Sequence, residues 1–172
     1  MAISTITGAS TGSTGTVITT GSSGQVIPKA ALPTGSVLQV VSSTYSTQAS
    51  NSTTTATDTG LTATITPTSA TSKILVLVTQ TGCRKSSGNA FNAMYLNIVR
   101  NSTQLVISNY AGYQNLAQDL VIGEVSLSYL DSPSTTSATT YKTQFWNFAG
   151  ASNITVQDGG SYSTITLLEV AA

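Results

Sequence analysis

The sequence predicts an all-β protein, a sandwich or barrel of short strands preceded by an extended N-terminal arm. Three observations predict it. Ser and Thr make up about a third of the 172 residues, and β-branched Thr suits a pleated, half-solvated surface better than a helix. From Val37 onward, short runs of strand formers alternate with turn signals, the pattern of a sandwich. Before Val37, glycines and prolines interrupt every apolar pair, so that segment cannot bury a core of its own.

The arm covers residues 1–36 and the sandwich residues 37–172. Within the arm, Gly8, Gly12, Gly15, Gly21, Gly24, Gly35, Pro28 and Pro33 leave only short apolar groups: Ile3 and Ile6, Val17 and Ile18, Val26 and Ile27, then Leu32. Such a segment gains order by borrowing a surface, through strand addition to a neighbouring sheet or by lying in a groove. Those seven apolar residues are the candidate docking contacts.

In the sandwich, about eight or nine strands are expected. The first runs from Val37 to Tyr45, and a polar Ser/Thr/Asn loop follows through Asp58. In Leu61 to Thr66, Leu61, Ala63 and Ile65 alternate with threonines, the period of a half-buried strand. Pro67 ends it. Ile74 to Thr79 is continuously apolar and is expected to be a central strand covered on both faces. Ala90 to Arg100 comes next, then a turn at 100–103 and a short strand from Gln104 to Ser108. Tyr113 to Asp119 has mild helical character or forms an irregular loop. Val121 to Leu130 alternates again, and the turn Asp131-Ser132-Pro133-Ser134 closes it. Thr139 to Phe148, Ile154 to Val156, a turn at Asp158-Gly159-Gly160 and Ser163 to Val170 complete the pattern, with helix content near zero.

Charge and chemistry narrow the function. Charged residues are only 7% of the chain, roughly a quarter of the usual fraction, and six basic side chains cancel six acidic ones. No long-range field draws the chain toward nucleic acid or an anionic membrane, and so little charge suits a protein that lives in an assembly. The opening Met1-Ala2-Ile3-Ser4 lacks the basic and apolar regions of a secretion signal, and no apolar run has the length of a membrane helix. Assembly in a cytoplasm is the expectation.

The sequence contains no histidine, which removes the commonest general base and metal ligand. The acids Asp58, Asp119, Glu124, Asp131, Asp158 and Glu169 are scattered singly, mostly at expected turns, where such groups ordinarily serve their own backbone. The one cysteine, Cys83, allows no internal disulfide. It reads as an inert loop cysteine, although Arg84 and Lys85 beside it raise the alternative of a reactive thiolate. The glycines at 12–15 and 21–24 neither open a helix nor carry a phosphate-loop lysine. The expectation is a non-enzymatic protein without cofactor or metal.

Candidate surface-recognition residues are Arg84 and Lys85, in the densest basic spot, with Tyr110, Tyr113 and Trp146. Alternation through Phe145, Trp146 and Phe148 sends one face into the core and the other toward a neighbouring chain.

Leu32-Pro33-Thr34-Gly35-Ser36-Val37-Leu38-Gln39-Val40-Val41, the Leu61–Pro67 segment, the Ile74 strand, Tyr129-Leu130-Asp131-Ser132-Pro133 and the closing Thr164–Val170 run carry a resemblance. Over most of residues 32–170 the chain resembles structural proteins of phages that infect cyanobacteria and other aquatic bacteria, of the tail-fibre or capsid-decoration type. The resemblance implies a jelly-roll-like β-sandwich that forms homotrimers on a virion, attached to capsid or tail proteins by its N-terminal segment, with no catalytic residues to transfer. A capsid decoration or cement protein is the favoured expectation, because the chain is short and has no repetitive stalk. The alternative is a short tail or head fibre binding a host surface glycan. A secreted lectin-like domain is disfavoured by the missing secretion signal and the lack of an aromatic platform.

Overall fold

Period-two alternation dictates most of the architecture. In the computed structural model, which describes residues 32–86, 91–150 and 152–172, apolar side chains at every second position turn inward and their Thr and Ser neighbours turn outward. The described residues form β1 (Val37–Tyr45), β2 (Ala49–Asn51), β3 (Thr57–Ile65), β4 (Lys73–Lys85), β5 (Phe91–Arg100), β6 (Thr103–Asn115), β7 (Leu120–Asp131), β8 (Thr139–Asn147), β9 (Ile154–Val156) and β10 (Ser163–Val170). Their only helix is a 3-10 turn at Asp158–Gly160. The arm contacts Ile3, Ile6, Val17, Ile18, Val26 and Ile27 lie outside the described residues; Leu32 is half-buried.

Two antiparallel sheets build a β-sandwich. Sheet A centres on β4, which pairs with β7 along one edge. Its other edge pairs first with β10, which in turn pairs with β1, and beyond Thr79 with β9, which pairs with β2. Sheet B has the order β3-β8-β5-β6.

The sandwiched core has two apolar clusters. One holds Leu61, Ala63 and Ile65 from β3 against Ile74, Val76 and Val78 from β4, with Tyr141, Ile165 and Leu167. The other gathers Cys83, Met94, Leu96, Phe145, Ile154 and Val156. A polar seam separates them. Gln80 lies between Val78 and Cys83 on β4, and Thr143 between Tyr141 and Phe145 on β8, all of them buried.

Several expectations need correction. The run Ile74 to Thr79 is central but is not covered on both faces: Ile74, Val76 and Val78 are buried, whereas Leu75 is half-buried and Leu77 is 40% exposed. The strand does not stop at Thr79 either. At Gly82, with φ +58°, β4 bulges against the backbone of Asp158, and the inserted residue lets both Gln80 and Cys83 face inward. That break in alternation hides the continuation through Lys85, so Cys83, Arg84 and Lys85 are strand rather than loop residues.

Likewise, Tyr113 to Asp119 has no helical turn. β6 continues to Asn115 through further bulges, and a bend follows. The polar loop before β3 contains β2, three residues too short for a periodicity to register. Asp131 is not a solvated turn residue; it ends β7, buried, and holds Arg100 and Tyr141.

Candidate functional site

The outer face of sheet B carries a cluster of rings. Tyr95 on β5 stands directly opposite Trp146 on β8, and the two rings meet edge to face with centroids 5.3 Å apart. On β6, Asn109 and Tyr110 oppose the single residue Tyr95, because Met94 pairs with Ala111 and Leu96 with Ser108. This bulge, with Tyr110 at φ +59°, aims the Tyr110 ring edge-on at Tyr95, again 5.3 Å away. Phe148 closes the cluster at 5.7 Å from Tyr95 and 5.1 Å from Tyr110, and Tyr113 lies 6.0 Å from Tyr110. Edge-to-face geometry is the favoured arrangement for such rings.

Tyr110 and Tyr113 remain exposed, while Tyr95, Trp146 and Phe148 are half-buried. Burial, together with the hydrogen bond and proximity of Tyr110, pushes the Tyr95 phenol up to about 12. The Tyr95 hydroxyl therefore stays neutral at physiological pH and offers a donor as well as an acceptor.

A polar strip continues the same face. Gln144 lies two residues before Trp146 and opposite Asn97, whose Oδ1 accepts from the Gln144 backbone N–H at 3.2 Å. Asp58 accepts from Gln144 Nε2 at 2.8 Å and from Lys142 Nζ at 2.7 Å. Burial raises the Asp58 carboxyl, but these two hydrogen bonds and the lysine charge outweigh it and hold the group below its usual range. It is an ionised, paired carboxylate, unsuited to donating a proton in catalysis. The face thus sets aromatic rings beside an amide and a carboxylate.

Of the five surface residues singled out from the sequence, the fold brings Tyr110, Tyr113 and Trp146 together and separates them from the other two. Phe145 is buried while Trp146 and Phe148 share the outer face, in keeping with their alternation. The expected lack of an aromatic platform, which counted against sugar recognition, is therefore overturned. Tyr95 completes the cluster; alternation along β5 sets it on the face opposite Met94 and Leu96, but only the β5–β8 register reveals that it faces Trp146.

Arg84 is on sheet A, where it bonds Asp119 at 2.9 Å and Asp158 at 3.3 Å. Those hydrogen bonds raise its pKa, Asp119 contributing more than Asp158, and the two acids neutralise it toward any outside partner. It borders a groove of about 460 Å³ with Thr81, Cys83, Val121 and Asp158. Lys85 is not a surface residue at all: it is fully buried, and its Nζ donates to Leu116 O and Gln118 O at 3.1 Å and to Gln114 Oε1 at 3.3 Å. The ammonium pins the bend after β6.

The reactive-thiolate alternative for Cys83 also fails. Burial pushes the thiol up to about 12, and Sγ points back to Gln80 O at 3.2 Å. Among the described residues no three His, Cys, Asp or Glu side chains are grouped to hold a metal ion. No protein-family model matches the chain, and no curated protein matches it.

Proposed function

We propose that this chain is a non-enzymatic structural protein of a bacteriophage particle, a homotrimeric capsid decoration or cement protein anchored through residues 1–36. The observation that carries the reading is the strand order. β1, β10, β4 and β7 lie side by side in sheet A and face β3, β8, β5 and β6 in sheet B. Consecutive strands therefore cross repeatedly between the sheets, an order that supports a jelly roll of two Greek keys, an architecture used by viral capsid and lectin domains. Fold analogy alone does not specify function; the scarcity of charge and the glycine-punctuated arm with its short apolar groups add to it. Removal of residues 1–30 should leave a soluble trimer that no longer binds particles. Binding retained by the truncated protein would overturn the anchoring role.

The ring cluster favours a second reading, a short tail or head fibre that binds a host surface glycan. Aromatic faces cover the apolar side of a sugar, and exposed Asp58 with half-buried Gln144 offers polar partners for its hydroxyls. On this reading the purified protein competes with phage for host cells. Absence of competition at saturating protein would dispose of it.

A further inference from the structure

We propose that the outer face of sheet A, along the row Val40, Leu168, Leu75 and Leu130, is the surface on which further copies of this chain seat. The inference rests on the homo-oligomeric reading and names the face that serves it. The register sets these four residues side by side across β1, β10, β4 and β7, and directly opposed residues share a face. They form an unbroken aliphatic band, about 15 Å long at the ordinary strand spacing. Val40 is 58% exposed and Leu130 49%.

The neighbouring rows decide what covers the band. On one side Val37 and Val170 extend it, ending at Lys73, the one charge in these rows. On the other side Leu77 projects among Ser42, Thr166 and Ser128, and the next row is hydroxyl throughout, from Thr44 to Ser126. A highly charged partner would lose water from its ionic groups against this face and find only Lys73, at its margin, to pair with. A copy of the same face brings aliphatic side chains for the band and hydroxyls for the hydroxyl rows. The six basic and six acidic residues of each copy cancel, so copies meet without net repulsion. Copies arranged around a symmetry axis gather their bands at one place, which removes each from water together.

The test uses the full-length chain and sedimentation velocity across a concentration series. Wild type should sediment as an oligomer. The double variant V40K/L130K, altered only at exposed positions, should raise the dissociation constant by about 100-fold or more, with an unchanged far-ultraviolet circular dichroism spectrum. The milder Leu130→Asn should move it in the same direction by about 10-fold. Thr62→Lys, on the outer face of sheet B, should leave the mass at the wild-type value. An oligomeric wild type whose V40K/L130K and Leu130→Asn variants keep its full association would overturn this inference alone. A wild-type chain that stays monomeric throughout would overturn the homo-oligomeric reading itself.

Discussion

Thr143 on sheet B donates a 3.1 Å hydrogen bond to Gln80 Oε1 on sheet A, joining the two layers through the middle of the core. The contact is one link of a buried chain. Thr59 and Thr143 hydroxyls bond at 2.6 Å, and Gln80 Nε2 donates to Ser163 Oγ at 2.9 Å, which also accepts from Gln157 Nε2 at 3.2 Å. Every hydrogen bond here replaces one to water at modest net gain, but an orphaned partner costs about 1–3 kcal/mol. Thr143→Val should therefore lower stability by about 1–3 kcal/mol, read as a shift in the urea midpoint. Adding Gln80→Leu should cost less than the sum of the two single changes, because the pair shares its partners. Strict additivity would count against a coupled seam.

A second cross-layer anchor joins Asp131 to Tyr141 and Arg100. The Tyr141 hydroxyl donates to Asp131 Oδ2 at 2.7 Å, and Arg100 Nη1 reaches both carboxylate oxygens at 2.8 Å. Asp131 is 5% exposed, so removing the guanidinium strands a nearly buried charge. Arg100→Ala should destabilise by about 3–5 kcal/mol, somewhat less to the extent that water enters the gap. Tyr141→Phe, which removes one donor to the carboxylate and leaves the ion pair, should cost only about 1.5–3 kcal/mol. Denaturation curves for the two variants test that order, and a Tyr141→Phe cost equal to that of Arg100→Ala would reverse the ranking.

The strands that sequence periodicity located correctly are those whose burial follows strict alternation, such as Leu61 to Ile65 and Ser163 to Val170. Bulges concealed the rest. At Gly82 the inward sequence of β4 passes from Gln80 to Cys83, so the period is lost and a strand resembles a loop. The same effect at Asn109 and Tyr110 hid the length of β6. Lys85 escapes a sequence reading because a lysine is so rarely buried; its three acceptors come from the end of β6 and the bend after it, some thirty residues away, and no local pattern announces them. Tyr110, Tyr113 and Trp146 stood out as aromatics in a polar chain, whereas their convergence needed the register of three strands.

Cys83 provides a test that needs no variant. With a buried thiol pushed up to about 12, the thiolate fraction at pH 8 is very small and the sulfur is shielded. Iodoacetamide should leave the native chain unlabelled over hours and modify it fully in denaturant, as read by intact mass. Rapid labelling of native protein at neutral pH would place the sulfur at the surface, contrary to the β4 bulge.

Glu169 contributes to the acid limb of stability. It is buried at the end of β10, where it accepts from Gln39 Nε2 at 2.6 Å, Thr68 N at 2.7 Å and Thr68 Oγ1 at 2.8 Å. Burial raises its pKa, but the hydrogen bonds from Gln39, Ser72 and Thr68 prevail and hold the folded value below the ordinary 4.5. Between the folded and unfolded values the unfolded chain binds more protons, so stability rises with pH in that window. The contribution is complete above about pH 5 and is lost as pH falls through the folded pKa. Glu169→Gln should flatten this part of the profile and lower stability at pH 7, since an amide cannot accept at both oxygens. Urea midpoints for the two proteins from pH 2.5 to 7 measure it, and parallel profiles would show that the acid sensitivity arises elsewhere.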